Sequence, residues 1–518
     1  MFLVACKSDP STPEHWAKAL ESAQGAKNKE RVVTELRQSP HLKDTFLPML
    51  HEALGKEKAP AVKAGIAKIL SDQKSPSSVD ALSDALVLGE SDPAHNQMNK
   101  EIASALGHIG DKKAVPTLLK LLKARDNYVK IEAINALGQL KSADAVEPLI
   151  EMATSESGEP FIAKKAIQAL GHIADARAVP ALKQMMFKER KGVSFYVESS
   201  FALYQIGAPA VPALVPLMAG EDKAFLEWTR ENKVIEPAVY AKTAQVLGDL
   251  HAEAKDAEKA LIKQLKYENG FAEQLLVRMK AADALGRMRS KAAVPVLMSM
   301  LDEQEPATRA EYIRALVRIG DPAAVPALVK AAQKGAWDSR EALISGIAML
   351  GGEAELATLQ KLQKDEAAIH AAYCKLDDVY ERCKDVAASA AKQAEAIATQ
   401  AKRLEAAKEC KKDFACWTKK LDDADAGVRE RAAFELGRSG DASYTAELVK
   451  RLSDNNLDTR YAAITAADWL ITDSKDAYAQ AKAKLATIEK QLEDERGKTQ
   501  FVKVNEDLKR LVVKLARN

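Results

Sequence analysis

The chain has 518 residues, with 76 Lys+Arg against 74 Asp+Glu and 47% hydrophobic residues, a folding composition whose length alone predicts about three ordinary domains. The near-neutral balance recurs in residues 361–518, with 30 basic and 28 acidic side chains. It argues against a nucleic-acid partner, because such binding draws its affinity from phosphate contacts. The 92 alanines, against an aromatic content of 5%, predict closely packed helices rather than a β-sandwich.

The chain opens MFLVACKSDPSTPEHW. Residues 7–13 are polar and hold Pro10 and Pro13, so a tether is expected before a first helix at Glu14. Leu3-Val4-Ala5-Cys6 resembles the bacterial lipobox, a branched apolar residue and two small ones ahead of an invariant cysteine. That resemblance implies lipid attachment at Cys6, and two or more acyl chains give stable membrane anchoring. With Lys7 rather than Asp after the cysteine, it implies the periplasmic side of the outer membrane. A working signal needs a basic segment and an apolar stretch before its cysteine, and only five residues precede Cys6. The competing reading is a cytosolic chain with reduced cysteines.

After Glu14 the sequence repeats itself. Pro116, Pro148, Pro180 and Pro212 fall at an unbroken interval of 32, and Pro295 and Pro326 extend the series. Each proline sits in a similar phrase, such as AVPTLLKLL, AVPALVPLM or AVPALVKAA, and each is preceded by a second phrase, such as ASALGHIGD or ADALGRMRS. Proline is pre-set for the first helical position, and the Val and Leu after it give one apolar face. The A-L-G phrase places small residues where two helices approach closely, and its helix is expected to stop at the glycine.

This alternation resembles the HEAT family of α-solenoid repeats, in particular the short HEAT-like repeats of phycobilisome lyases. The resemblance is clear over residues 60–352 and 413–470. It implies an all-α fold, a right-handed α-solenoid of about ten HEAT-like helical pairs with a long helical insertion. The expected segments are a tether (1–13), a solenoid (14–360), an insertion (361–412), further repeats (413–475) and capping helices (476–518). End repeats of such an array present one polar face to water. Many HEAT repeats also carry Asp in the inter-helix turn and Arg just inside the second helix, forming a polar ladder. The matching pairs are Asp302 with Arg309, Asp338 with Arg340, Asp425 with Arg429 and Asp454 with Arg460, while Lys130 takes the Arg place in NYVKIEAINAL. The slot two residues after A-L is filled by His108, Gln139, His172, Gln205, Asp249, Arg287 and Arg318 in turn. So varied a column reads as a solvated ridge rather than a metal or catalytic site.

The period breaks twice. Between Tyr204 and Gly248 it lengthens by the segment 219–237, and eight aromatics crowd into residues 187–240. They either fill a wider gap between helices or form a recognition surface, for which Phe195, Tyr196, Phe225 and Trp228 are the partner-binding candidates. From Glu353 to Ala426 there is neither Gly nor Pro, which predicts an extended helix or helical hairpin. This stretch holds Cys374, Cys383, Cys410 and Cys416. A fold-back near Glu395 would bring Cys383 towards Cys410 and Cys374 towards Cys416, with a helix break at Lys411-Lys412-Asp413. Free thiols are the alternative, and the spacings do not match common zinc sites. Disulfides require an oxidising compartment.

Little in the sequence points to catalysis. No P-loop, G-x-G-x-x-G, G-x-S-x-G or H-E-x-x-H occurs. Some HEAT-repeat enzymes hold a di-iron centre through repeated His-Glu pairs, and this chain has one such pair, His51-Glu52. The expectation is a non-enzymatic scaffold of the bacterial envelope, without cofactor or metal, that binds a protein partner on its curved surface. The alternatives are a cytosolic adaptor and, from the resemblance alone, a bilin lyase.

Overall fold

A computed structural model describes residues 9–89, 92–302, 305–334, 339–373, 386–471, 475–494 and 499–517. The chain forms two compact units, residues 1–213 and 214–518. Unit 1 holds α1 (Pro13–Ser22), α2 (Ala26–Arg37), α3 (Leu47–Lys56), α4 (Pro60–Gln73), α5 (Val79–Asp84) and α6 (Pro93–Ile109). It continues with α7 (Val115–Leu121), α8 (Asn127–Gln139), α9 (Val146–Thr154), α10 (Pro160–Ile173), α11 (Val179–Met185) and α12 (Tyr196–Ile206). The boundary falls inside α13 (Val211–Ala219). Unit 2 begins its pairs with α14 (Lys223–Glu231), α15 (Glu236–Leu250), α16 (Glu258–Gln264), α17 (Gln274–Arg287) and α18 (Val294–Ser299). Next come α19 (Pro306–Ile319), α20 (Val325–Gln333), α21 (Arg340–Leu350), α22 (Glu353–Tyr373) and α23 (Val386–Cys410). The remainder is α24 (Phe414–Lys420), α25 (Ala426–Arg438), α26 (Thr445–Lys450), α27 (Leu457–Trp469), α28 (Lys475–Asp494) and α29 (Thr499–Arg517). Apart from a two-residue hairpin pairing Glu189–Arg190 with Val193–Ser194, the described elements are helical and stack as consecutive pairs, a HEAT-type solenoid.

In the repeats of the A-V-P type, a short outer helix is followed by a longer inner one. A single 3-10 turn precedes the outer helix, and an aspartate fixes it in several repeats. Asp111, Asp175, Asp321 and Asp441 each accept a backbone N–H two residues on. The alanine of each A-V-P phrase is buried, and valine starts the helix with proline second, where no helical N–H is required. The inner helices bury the stripe that the A-L-G phrase supplies.

The A-L-G glycine does not end its helix, contrary to the sequence expectation. The helix runs about half a turn further, and the stop falls at a left-handed residue that is glycine at Gly110 and Gly320 but Lys141, Ala174 and Arg289 elsewhere. The glycine instead serves close approach. A Cβ on Gly107 would lie 2.9 Å from Ala136 Cα, on Gly171 2.9 Å from Ala202 Cα, and on Gly286 2.8 Å from Ala315 Cα. Where the phrase carries its glycine, that glycine is seated against an alanine of the next inner helix, while Tyr204 and Val317 take its place on α12 and α19.

The insertion is a hairpin in which α22 packs along α23. Residues 374–385 between them lie outside the described residues, and Glu395 sits in the middle of α23, so the chain does not fold back there. The break at Lys411–Asp413 is present, and Lys411 takes a positive φ. In unit 2, α23 lies beside both α21 and α25. From α25 onward the repeats return across the inner helices already laid down.

The stacking contact predicts opposite outcomes for one substitution at two sites. Gly107→Ala is expected to lower stability by about 1–3 kcal/mol through overpacking against α8. Gly55→Ala has open space around it and is expected to raise stability by up to about 1 kcal/mol through helix propensity. Melting temperatures of the two variants measure both, and equal shifts would remove the close-approach argument.

Candidate functional site

The inner helices carry one side-chain slot whose environment differs between the units. In unit 1, His108, Gln139 and His172 are exposed and Gln205 is half-buried, so the column is the solvated ridge the sequence predicts. His108 Nδ1 meets Ser71 Oγ at 3.1 Å across the stack.

In unit 2 that reading is overturned. Asp249 and Arg318 are buried, and the Arg287 side chain is only 10% exposed. The C-terminal repeats cover them. Arg287 reaches Asp249 at 3.3 Å, Asp283 at 3.1 Å and Asp507 of α29 at 3.8 Å. Arg510, also on α29, contacts Asp249 at 3.1 Å and Asp507 at 3.3 Å. Arg318 pairs with Asp283 and donates to the Tyr461 hydroxyl of α27 at 2.8 Å. The acidic neighbours hold the Arg287 guanidinium well above its ordinary pKa despite its burial. The last helix therefore docks its polar face into an ionic core, rather than presenting that face to water as a cap.

Further bonds tie the returning arm down. His251 pairs with Asp468, whose carboxyl also takes Lys514 Nζ at 3.0 Å. Burial alone would raise the Asp468 pKa, but His251 and Lys514 hold it well below the usual carboxylate range. Arg431 is buried and donates to the Ala348 and Gly351 carbonyls at 2.6 and 2.7 Å, capping the orphan acceptors at the end of α21. Burial pulls its pKa down to about 10. Arg438 donates to the Val317 carbonyl at 2.7 Å, and the Arg289 guanidinium lies 4.8 Å over the Trp469 ring. A cavity of about 480 Å³ remains between the two arms. Its carboxylates are largely engaged: Glu311 by Arg314 at 2.6 Å and Glu430 by Arg403.

The polar ladder is only partly as expected. Asp425 caps α25 by accepting from the Gly427 and Val428 N–H groups. Arg429 crosses to Asp454 of the next turn with two bonds of 2.9 Å. Asp302 pairs with Lys334 rather than Arg309, and Asp338 lies outside the described residues.

The aromatic candidates fall in separate units. In unit 1, Phe195 is fully buried under the Arg190 guanidinium, so it belongs to the core and not to a partner surface. Tyr196 beside it is half-buried. In unit 2, Phe225 and Trp228 are half-buried with ring centroids 5.1 Å apart on α14. Phe187, Tyr204 and Tyr240 are buried, so with Phe195 half of the eight aromatics belong to the cores of their own units. Among the described residues, the most exposed aromatics lie outside that cluster: Tyr128 at 69%, Phe161 at 58% and Phe271 at 69%. Tyr128 and Phe161 share a signal, the second place of an inner helix.

Cys410 and Cys416 form a disulfide with Cα atoms 5.3 Å apart, replacing the expected bridges to Cys383 and Cys374. The helix break lets the two ends of one short loop meet. Cys6, Cys374 and Cys383 lie outside the described residues. His51 bonds Ser78 Oγ at 2.8 Å while Glu52 pairs with Lys56. Among the described residues no three His, Cys, Asp or Glu groups converge as metal ligands.

Comparisons with known proteins follow the same outline. A family profile described as HEAT repeats matches residues 88–162, 116–203, 235–307, 300–373 and 416–495. Deoxyhypusine hydroxylase of Candida albicans is 28% identical over 232 residues, which is 44% of this chain and 65% of that protein. Phycocyanobilin lyase subunit alpha of a Nostoc species is 29% identical over 137 residues, 24% of this chain and 49% of that one. The chain spans less than two thirds of the length of either relative. A solved structure of Kap95p with RanGDP aligns over 97% of this chain and 77% of that one, at 12% identity and a TM-score of 0.42.

The two fates of the inner slot predict unequal effects. Arg287→Ala removes a buried cation shared by Asp249, Asp283 and Asp507, leaving two of them to Arg510 and one to Arg318, and is expected to destabilise unit 2 by about 3–5 kcal/mol. His172→Ala, in the equivalent slot of unit 1, is expected to stay within about 0.5 kcal/mol. Urea unfolding of both variants tests this, and similar midpoints would contradict the buried core. Asp468 adds a pH signature: its depressed pKa contributes stability that is complete above the unfolded value of about 4 and lost as the pH falls below it. The gap in melting temperature between the wild type and Asp468→Asn should therefore narrow on acidification below about pH 4.

Proposed function

We propose that this chain, which belongs to the HEAT-repeat family, is a non-enzymatic protein-binding scaffold anchored by lipid at Cys6 to the bacterial envelope, on the periplasmic side of the outer membrane. One observation carries the scaffold reading. The inner ridge of unit 1 is open along His108, Gln139 and His172, whereas the equivalent ridge of unit 2 is filled by that unit's own last helices. The equivalent slot is thus exposed in unit 1 and self-sealed in unit 2. Within unit 1, a stack of neighbouring repeats is able to follow a partner's surface.

The envelope reading draws support from the Cys410–Cys416 bridge, since disulfides persist in oxidising compartments. The competing reading is a cytosolic adaptor. An enzymatic role resembling that of the named relatives rests on low identity over part of their length, and fold does not fix activity.

Two measurements separate these readings. Intact mass of the membrane-extracted protein is expected to show acyl mass on Cys6 and no free thiol at Cys410 or Cys416. A soluble chain with five alkylatable thiols and no acyl mass would sink the envelope assignment. Affinity capture with crosslinking is expected to join partners to unit 1, and a chain that captures nothing would sink the scaffold itself.

A further inference from the structure

Unit 1 bears a groove of about 770 Å³ between the α7–α8 pair and the α9–α10 pair. Leu119, Pro148 and Met152 are half-buried along it, and its polar wall carries Lys120, Lys123 and Lys130. Two carboxylates line it. Glu159 is already bonded to Lys191 at 3.1 Å, which leaves Glu151 alone against the three lysines, and Arg125 adds an exposed cation between Lys123 and the start of α8. None of these four cations has an ion-pair partner among the described residues. On a chain close to neutral overall, this groove is locally cationic.

Its flank is apolar. Tyr128, Phe161 and Val197 are 69%, 58% and 67% exposed. They occupy the same place, the second residue, of α8, α10 and α12, which pack side by side. Asp126 holds the first turn of α8 by accepting from the Tyr128 and Val129 N–H groups at 2.9 and 3.0 Å, so Tyr128 projects from a fixed backbone. Neighbouring packed helices stand about 8–10 Å apart. An extended polyproline-II segment repeats its face every third residue, at about 9 Å. The spacing of the apolar row therefore suits an extended chain with an apolar residue at every third position.

We infer that this groove and row bind an extended, acidic segment of a protein partner, its carboxylates meeting Lys120, Lys123 and Lys130 and its apolar residues meeting Tyr128, Phe161 and Val197. The inference rests on the scaffold reading and names the chemistry of the partner. Opposite charge on an exposed rim acts chiefly through encounter rate and salt dependence, while the large apolar side chains provide contact area.

The test is selection of a short random-peptide library on the full-length chain. Selected peptides are expected to be rich in Asp and Glu, with apolar residues three apart, and to bind less tightly as NaCl rises. Binding should weaken at least about tenfold on the triple variant Lys120→Glu, Lys123→Glu, Lys130→Glu. It should weaken likewise on Tyr128→Ser with Phe161→Ser, with helical circular dichroism unchanged in both. Neutral or basic selected peptides, or acidic ones that bind the lysine variant as tightly as the wild type, overturn the groove assignment and leave the scaffold reading standing. Tighter binding of duplex DNA than of the acidic peptides overturns it in favour of nucleic acid. A selection that yields no binder overturns it too, and the scaffold reading falls with it only if crosslinking also captures no protein.

Discussion

The fold depends on one contact made repeatedly, a glycine on one inner helix set against the backbone of an alanine on the next. At Gly107, Gly171, Gly248 and Gly286 a Cβ would stand under 3.0 Å from the neighbouring helix. Glycine weakens a helix interior, so its use there is a sacrifice of local propensity for close approach. The approach sets the spacing of the inner helices, and the spacing aligns equivalent side chains into rows along the stack. Both rows considered above, the polar slot and the exposed apolar positions, are consequences of that contact.

What a row does then depends on what covers it. In unit 1 the slot stays in water, where a change from His to Gln costs little. In unit 2 the insertion hairpin lets the array come back over itself, and the same slot must satisfy buried charge. It does so by pairing: Asp249, Arg287 and Arg318 are met by Asp283, Asp507, Arg510 and Tyr461. Desolvated charges of this kind are tolerated only when each finds a partner. The returning arm also places arginines on the carbonyls left open at helix ends, Arg431 at the close of α21 and Arg438 beside Val317. Hydrogen bonds of that sort fix a register that apolar packing alone would leave loose.

Legibility was uneven for physical reasons. The prolines at an interval of 32 and the A-L-G phrases disclose the repeat because each is a local requirement of a helix start or a close contact. The helix break at Lys411–Asp413 was equally readable. The aromatic cluster misled in part, since Phe195 and Tyr204 are buried and composition does not report which way a ring faces. Tyr128 and Phe161 are isolated aromatics in the sequence, and their alignment exists only once the helices stack. The cysteines misled through distance: a fold-back pairs residues far apart in sequence, whereas a sharp helix break brings Cys410 and Cys416 together across six residues.

Residue type and local spacing are enough for the repeat, its helical pairing and the near-neutral charge balance. Tertiary structure alone decided which stretch of the inner ridge is open and which is sealed. His172 and Arg287 hold equivalent slots in equivalent phrases, and nothing in either phrase distinguishes them. The difference is the presence of α27 and α29 over one of them, roughly 200 residues further along the chain. Solvation is set by neighbours in space, and a repeat carries no local record of what folds back upon it.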